Sequence, residues 1–371
     1  MRKKKPSIMI IGDMPGWAFD NIIKFVYTQL KSDFDFYYDY TIYNPRIDSQ
    51  INSDISLIEY NHYHGNNYRK AIPFQRIPII RAFIYYSIRY LNKFGFLSFD
   101  EEGRIRKVRK DNRYDLVVFL DFYMDKDANF DHVQYNKKIK GIYTDGFPPK
   151  GIQLLATINK TEFCSQYLND ADAIVTGAPS IAAFYKKNAN IPFFFANMAY
   201  DESVFKPMNR SEETDFVIGW TGNPNREFKG FHSVILPVVE KLQKEGYPVV
   251  LKTQFEGSIE SLAFFWQGVD LAIIASEADA GPSMFMEASL CGVPSVSTRI
   301  GMPAYLMRDG ENGLFCERNV KDISSKIAFL IDHPEVLKSM KASIRKDYIE
   351  KLGVEVQVKN WKNMFNELIE K

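Results

Sequence analysis

The sequence predicts an α/β fold in which parallel β-sheets are covered by helices on both faces. Short apolar runs alternate with amphipathic stretches along nearly the whole chain. The runs are continuous, rich in β-branched residues and bounded by Gly, Pro or Asp. Strands of that kind are buried on both faces, as in a parallel sheet between two layers of helices. The alternation pauses at residues 197–214, a polar stretch that predicts a linker between two α/β domains.

Nine apolar runs predict the strands of the two sheets. The runs of the first half are 7–12, 115–121, 139–145, 172–177 and 193–197, and those of the second half are 215–220, 247–253, 269–276 and 294–298. Apolar residues at helical spacing predict two C-terminal helices, on Val320, Ile323, Ile327, Leu330 and Ile331, and on Val358, Trp361, Met364, Phe365 and Leu368. This pattern predicts a first domain over 1–196, the linker over 197–214 and a second domain over 215–350, followed by a C-terminal helix over 351–371.

Composition excludes a mainly disordered chain, a collagen-like protein and a disulfide scaffold. The chain has 371 residues, of which 46% are apolar and 25% charged, and this is ordinary for a globular protein. Its 47 Lys and Arg residues balance 46 Asp and Glu residues, so we expect no nucleic-acid partner. The three cysteines contain no CxxC pair, which favours free thiols in a reducing compartment.

The N-terminal segment does not have the pattern of a signal peptide or a membrane anchor. Its apolar run, Ile8–Ile11, is far shorter than the roughly 7–15 residues of a signal peptide's apolar region. No run approaches the roughly 18–20 apolar residues of a membrane span. We therefore expect a cytoplasmic protein.

One segment departs from the even charge balance. Residues 68–110 hold eleven Lys and Arg against three acidic residues, a local net charge of +8 in a chain whose total is +1. Within it, the stretch 77–97 interleaves apolar and aromatic residues with Arg81, Arg89 and Lys93. That pattern predicts docking on the anionic inner face of a membrane, and the alternative is a solvated basic face.

The stretch 276–303 contains the densest group of candidate functional residues. A buried strand is followed by a loop with Gly281 and Pro282, and then by a helix from about Ser283 to Cys291. The free N–H groups and the dipole at the start of such a helix form a site for an anion. Glu287 lies one turn into the helix, where its carboxylate can accept hydrogen bonds from the two vicinal hydroxyls of a ribose.

The pattern acid-x7-Glu-Ala-x3-Gly-x-Pro in this stretch resembles the signature of family 4, or group 1, retaining glycosyltransferases. The resemblance implies the GT-B fold, in which two Rossmann-like domains face each other across a central cleft. It also implies that Asp279 contacts the sugar of a nucleotide diphosphate sugar, while Glu287 binds the ribose. Glu277, two residues before Asp279, is an alternative for the first role. The residues implied for the phosphate loop are Gly281, Pro282, Ser283 and Met284.

A second motif with the same implication is FVIGWTGNPNREFKG, residues 216–230. It resembles the family's strand followed by a Gly-Arg…Lys-Gly motif, whose basic residues neutralise the diphosphate. Lys229 and Gly230 match that motif, Asn223 stands where Arg is usual, and Arg226 is a candidate substitute. Gly222 and Asn223 are further candidates for donor binding. In the first domain, Gly16 follows the first predicted strand and can approach the donor phosphates.

The resemblance implies transfer of a sugar from a nucleotide diphosphate sugar to a hydroxyl acceptor, with retention of anomeric configuration and without a metal or other cofactor. The expected acceptor is a glycan or a lipid-linked saccharide in surface polysaccharide synthesis. Asp279, Lys229 and Arg226 are the candidate catalytic residues. The alternatives are a GT-B epimerase, a sugar phosphorylase and a nucleotide-sugar-binding scaffold that has lost its activity.

Overall fold

The strands of the protein form two parallel sheets, as the continuous apolar runs predicted. A computed structural model describes residues 5–13, 18–40, 98–99, 105–106, 113–126, 130–131, 133–143, 160–208, 215–255 and 257–370. Within these residues, the first half of the chain forms a six-stranded sheet and the second half a five-stranded sheet. The predicted α/β fold class is confirmed. The exact domain boundaries stay a prediction.

The first sheet has the strand order β2-β1-β5-β6-β7-β8. Its strands are β1 (Ser7–Gly12), β2 (Asp35–Tyr40), β5 (Arg113–Phe119), β6 (Gln134–Ile142), β7 (Ala173–Thr176) and β8 (Phe193–Phe195). A short antiparallel pair, β3 (Ser98–Phe99) and β4 (Ile105–Arg106), lies between β2 and β5 in the chain. Every residue of β1 is buried, as expected of a strand inside a parallel sheet whose two faces are both covered.

The second sheet has the strand order β10-β9-β11-β12-β13. Its strands are β9 (Phe216–Thr221), β10 (Val249–Gln254), β11 (Leu271–Ile274), β12 (Ser295–Ser297) and β13 (Leu314–Phe315). The central strand β11 is buried throughout, whereas the edge strand β10 is largely accessible to solvent. This is the exposure expected of a central strand and an edge strand.

The helices pack against the sheets along their apolar faces. Those of the first half are α1 (Ala18–Leu30), α2 (Lys160–Phe163), which continues as a π-helical turn (Cys164–Leu168), and α3 (Pro179–Tyr185). In the second half, a π-helical turn (Phe231–Ile235) leads into α4 (Leu236–Lys244), followed by α5 (Ile259–Gln267), α6 (Ser283–Leu290), α7 (Gly301–Leu306), α8 (Val320–Asp332), α9 (Pro334–Leu352) and α10 (Val354–Glu370).

Strand β6 starts five residues before the apolar run that predicted it, because two of its lysines are buried in ion pairs. Lys140 is completely buried, and its Nζ lies 2.7 Å from a carboxylate oxygen of Asp125 and 2.6 Å from one of Asp170. Lys138 contacts the same two carboxylates. A buried charge of this kind is tolerated only when it is paired, so the polar start of the strand depends on these aspartates.

The last helix, α10, packs against the first half of the chain. The ring of Phe365 meets Phe34 edge-on, with 5.4 Å between the ring centroids. Lys362 forms an ion pair with Asp33 at 2.9 Å, and the indole N–H of Trp361 donates to the backbone oxygen of Asn197 at 2.9 Å. The C-terminal helix therefore connects to elements that precede the linker.

The carboxyl ends of the two sheets approach each other. A Cβ placed on Gly177, just after β7, would lie 2.6 Å from Cδ1 of Tyr143 and 3.4 Å from Cβ of Ala280. A Cβ on Gly281 would lie 3.3 Å from the side-chain nitrogen of Asn197. Loops at the carboxyl ends of parallel strands hold ligands in open α/β sheets, so we expect the ligand-binding site at this junction.

Candidate functional site

The predicted strand–loop–helix unit is present in the second sheet. Strand β11 ends at Ile274, and α6 begins at Ser283 after Pro282, with no side chain capping its first amide groups. Gly301, with a φ of +36°, lies against the loop: a Cβ there would be 2.2 Å from the backbone oxygen of Asp279. A glycine is therefore required at 301 for the loop to pack. The uncapped N–H groups at the start of α6 can donate hydrogen bonds to an anion.

Two of the predicted catalytic residues form an ion pair. Lys229 ends a 3₁₀ turn (Glu227–Lys229), and its ammonium group contacts the carboxylate of Asp279. The second oxygen of this carboxylate accepts a hydrogen bond from the N–H of Gly281 at 3.3 Å. Both charged side chains are 17% exposed, which leaves them accessible to a ligand.

Glu277, the alternative for the sugar-contacting acid, points to a different partner. Its carboxylate lies 3.0 Å from the guanidinium of Arg318 and is 58% exposed. Arg318 also donates to the backbone oxygen of Ala275 at 2.8 Å. Of the two acids, Asp279 is the one beside Lys229, a geometry that favours it for the predicted role.

Glu287 is buried and holds three hydrogen bonds from different parts of the chain. Its Oε2 accepts from the indole N–H of Trp266 at 2.8 Å and from the hydroxyl of Thr221 at 3.5 Å. Its Oε1 accepts from the hydroxyl of Tyr200 at 3.0 Å. Burial raises the pKa of Glu287, and the three donors oppose that rise. A carboxylate has about four lone-pair sites, so Glu287 retains capacity to accept from a bound hydroxyl.

The turn after β9 holds the remaining candidates of the second domain. Gly222, with a φ of +147°, packs over the ring of Trp220, and the side chain of Asn223 accepts from the N–H of Asn225 at 2.9 Å. Arg226 is exposed, and its backbone oxygen accepts from the N–H of Lys229 at 2.9 Å. The turn thus connects Arg226 to Lys229 through the backbone, and the ligand roles of these residues stay predictions.

Of the remaining predicted site residues, some lie within the part of the chain that the structure describes and some lie outside it. Ser283 and Met284 occupy the first turn of α6, and Met284 is buried. Gly16 lies outside the described residues, as does the basic segment 68–110 except for β3 and β4. No cluster of three or more metal-binding side chains is present in the part of the chain that the structure describes.

Sequence reasoning missed the residues that hold Glu287 in place. Trp266 lies on α5, and Tyr200 lies in the predicted linker, 87 residues before Glu287. Neither position carries a local motif for a carboxylate partner. The sequence carries one weak signal for these contacts: Tyr200 and Trp266 each have a polar group on an aromatic ring, and such a residue usually has a hydrogen-bond partner when it is buried.

The carboxyl edge of the first sheet holds a buried acid, Asp121, two residues after β5. Its Oδ1 accepts from the N–H of Phe122 at 2.8 Å, and the side chain is almost completely buried. Burial raises the pKa of Asp121 to about 8, with a smaller contribution from the nearby Asp13. The neighbouring Tyr143 donates its hydroxyl to the backbone oxygen of Ala196 at 2.9 Å. This edge of the first sheet is therefore uncharged at Asp121 near neutral pH.

Comparison with known proteins finds a family model that matches part of the second half of the chain. Residues 238–347 match the family model of the glycosyl transferases group 1. This match covers less than a third of the chain. A stretch of 112 residues is 27% identical to the uncharacterized glycosyltransferase MJ1178 of Methanocaldococcus jannaschii, and covers 30% of this chain and 32% of that protein. The chain spans about a third of the length of the curated relatives it matches.

Solved structures confirm the predicted GT-B fold. Sucrose-phosphate synthase from Thermosynechococcus elongatus superposes with a TM-score of 0.64 at 13% identity, over 99% of this chain and all of that one. Anabaena HepE, in a complex with UDP-glucose, superposes with a TM-score of 0.60 at 12% identity, over 98% of this chain and all of that one. At these identities the likeness shows the fold alone. The family match includes the 276–303 motif and supports its resemblance, whereas the 216–230 motif lies outside the matched residues.

Proposed function

We propose that the protein is a glycosyltransferase that moves a sugar from a nucleotide diphosphate sugar to a hydroxyl acceptor, with retention and without a metal. The observation that carries this proposal is the Lys229–Asp279 ion pair at the start of α6. The pair joins a cation from the turn after β9 to an acid in the loop between β11 and α6, the helix whose first amides are uncapped. That is the set of groups needed to hold a sugar diphosphate.

Each part of the donor has a proposed partner. Lys229 and the first amides of α6 bind the diphosphate and stabilise the negative charge that develops as the sugar leaves. Asp279 accepts hydrogen bonds from the sugar hydroxyls, and Glu287 accepts from the ribose. Lys229 must share or give up its contact with Asp279 when the diphosphate arrives, so donor binding frees one carboxylate oxygen for the sugar.

The proposed reaction needs no metal, because Lys229 and the N-terminus of α6 supply positive charge at the diphosphate. A fixed ammonium group and a helix N-terminus can stabilise a leaving diphosphate, which is the task of a divalent ion in other folds. No protein nucleophile is assigned. The leaving phosphate itself helps to deprotonate the acceptor hydroxyl on the same face of the sugar.

The test is turnover of a panel of nucleotide sugars with a saccharide acceptor, in the presence and absence of EDTA. We expect release of a nucleoside diphosphate with at least one donor, at the same rate with and without the chelator. Retention is read from the anomeric configuration of the glycoside by NMR. UDP-glucose belongs in the panel because the similar HepE structure holds that donor.

Several outcomes would contradict this proposal. Loss of activity on chelation, restored by Mn²⁺ or Mg²⁺, would contradict the metal-free mechanism. Interconversion of nucleotide sugars without transfer would indicate an epimerase, and release of a sugar phosphate would indicate a phosphorylase. Binding of a donor without any turnover would indicate a scaffold.

We further propose that the acceptor is a glycan or a lipid-linked saccharide in surface polysaccharide synthesis, and that the cytoplasmic protein docks on an anionic membrane through residues 68–110. No helix among the described residues is long and apolar enough to cross a bilayer. The support is the local charge of +8, since each basic residue near an anionic leaflet contributes about 1 kcal/mol.

Co-sedimentation with liposomes tests the docking. We expect the protein to pellet with vesicles that contain phosphatidylglycerol, and to be released by added salt because surface attraction is screened. Changing Arg81, Arg89 and Lys93 to Glu should abolish pelleting, while neutral vesicles serve as the control. Equal recovery in the supernatant with anionic and neutral vesicles at low salt would contradict the docking.

A further inference from the structure

The hydrogen bond between Tyr200 and Glu287 joins the predicted linker to the donor-binding helix. Tyr200 donates to Oε1 of Glu287 at 3.0 Å, and its ring packs against Phe205 with 4.8 Å between centroids. The other two donors to Glu287, Thr221 and Trp266, belong to the second sheet and its covering helix. Tyr200 is therefore the one of these three donors that comes from the linker.

The linker is fixed to the first half of the chain three residues before Tyr200. The side-chain N–H of Asn197 donates to the backbone oxygen of Gly177 at 3.1 Å, at the carboxyl end of β7. The backbone N–H of Asn197 donates to Oε1 of Gln357, and its backbone oxygen accepts from the indole N–H of Trp361. These bonds hold Asn197 between the first sheet and the C-terminal helix α10.

The linker is fixed to α6 again just after Tyr200. The guanidinium of Arg345, on α9, donates to the backbone oxygen of Phe205 at 2.6 Å and to that of Leu290, the last residue of α6. The orientation of the Tyr200 hydroxyl is thus set from both sides. Its acceptor is the carboxylate to which the proposed function gives the ribose.

We propose that Tyr200 is a positioning residue for the ribose-binding carboxylate. Through this contact it couples nucleotide binding to the position of the linker. The inference rests on the proposed function, because it assumes that Glu287 binds the ribose. The hydroxyl of Tyr200 fixes the carboxylate rotamer and favours its ionised form, which retains the capacity to accept from a ribose hydroxyl. By thermodynamic reciprocity, a bound nucleotide then stabilises the linker in the position in which Tyr200 donates to Glu287.

The first experiment compares UDP with 2′,3′-dideoxy-UDP, measured by calorimetry on the full chain. The wild-type protein should prefer UDP, because the dideoxy compound lacks the hydroxyls that Glu287 accepts. Tyr200→Phe should weaken UDP about tenfold, as expected for a hydrogen bond to a charged group, and leave the dideoxy compound unchanged. A general structural disturbance would weaken both compounds equally.

Tyr348→Phe is the matched control. Tyr348 lies on α9, is completely buried and is close enough to Glu287 for the two charges to interact. Its hydroxyl has no hydrogen-bond partner among the described residues. Removing that hydroxyl should leave the preference for UDP as in the wild type. Glu287→Ala is the reference variant, in which the preference should disappear.

Hydrogen exchange supplies a second readout that does not depend on affinity. UDP at saturation should slow exchange of the backbone amides of residues 198–205 in the wild type, and Tyr200→Phe should abolish that protection at matched occupancy. Equal UDP preference and equal protection in Tyr200→Phe and wild type would overturn the inference and leave the proposed function intact. Equal affinity of the wild type for UDP and the dideoxy compound would overturn the ribose assignment itself, and the inference with it.

Discussion

Lys229→Ala should lower the turnover of a nucleotide sugar about 10²–10³-fold. The ammonium group of Lys229 contacts Asp279 in the loop that precedes α6, where the proposed leaving diphosphate gains negative charge. Removing one preorganised charge from such a position raises the barrier by about 2.7–4 kcal/mol. Steady-state kinetics with saturating donor measures the effect, and we expect it in kcat rather than in KM, because the charge develops in the transition state.

Lys241→Ala is a suitable control for this variant. Lys241 lies on α4 and pairs with Glu245, the residue that follows this helix, and both side chains are exposed. An exposed pair of this kind contributes little to stability, so turnover and unfolding should both stay close to those of the wild type. Turnover by Lys229→Ala within a factor of three of the wild-type rate would contradict the assignment of Lys229 to the leaving group.

The parallel sheets could be predicted from the sequence because burial on both faces leaves a continuous apolar run. Strand β11 is such a run, and its residues Leu271–Ile274 are all buried. Strand β2 was missed because its sequence, DFYYDY, contains two aspartates and no aliphatic residue, so it is not a continuous apolar run. It is an edge strand, and its core-facing Phe36 packs against Phe365 of the last helix, a contact that no local pattern reveals.

Helix α9 is a different kind of omission, since its signal was present. Its buried residues follow one another at helical spacing along one face: Leu337, Met340, Ile344, Tyr348 and Leu352. The many charged residues between them lower the mean hydropathy of the segment. Periodicity was therefore the better guide here than the density of apolar residues.

The site was predictable where its residues are close in the chain. Helix α6 begins at the predicted residue, Ser283, and ends one residue before the predicted end. The choice between Glu277 and Asp279 required the structure, because two acids in one loop differ only in where their side chains point. Tyr200 and Trp266 could not be predicted as partners of Glu287, since these contacts depend on how distant segments fold together.

The second large effect is expected in stability, at Asp121. Its pKa is raised by burial from 3.8 in the unfolded chain to about 8 in the folded protein. Between these values the folded state holds a proton that the unfolded state has released. The free energy of unfolding therefore falls as pH rises through this window, by up to about 1.4 kcal/mol for each pH unit from this group.

Asp121→Asn should remove that slope, because an amide does not titrate, while its side-chain oxygen can still accept from the N–H of Phe122. Relative to the wild type, the variant should gain stability steadily from pH 5 to pH 8, by a few kcal/mol in total. The neighbouring Tyr123 and Tyr143 do not contribute, since burial raises the pKa of both well above 10. Urea unfolding at four pH values measures the difference.

Asp131→Asn is the control, because Asp131 lies in the same half of the chain and is exposed. Its stability curve should run parallel to that of the wild type over the same pH range. Parallel curves for Asp121→Asn and wild type would show that Asp121 is ionised in the folded protein. Such a result would require a cation or further donors at this carboxylate. A difference that grows with pH would instead place a neutral acid at the carboxyl edge of the first sheet.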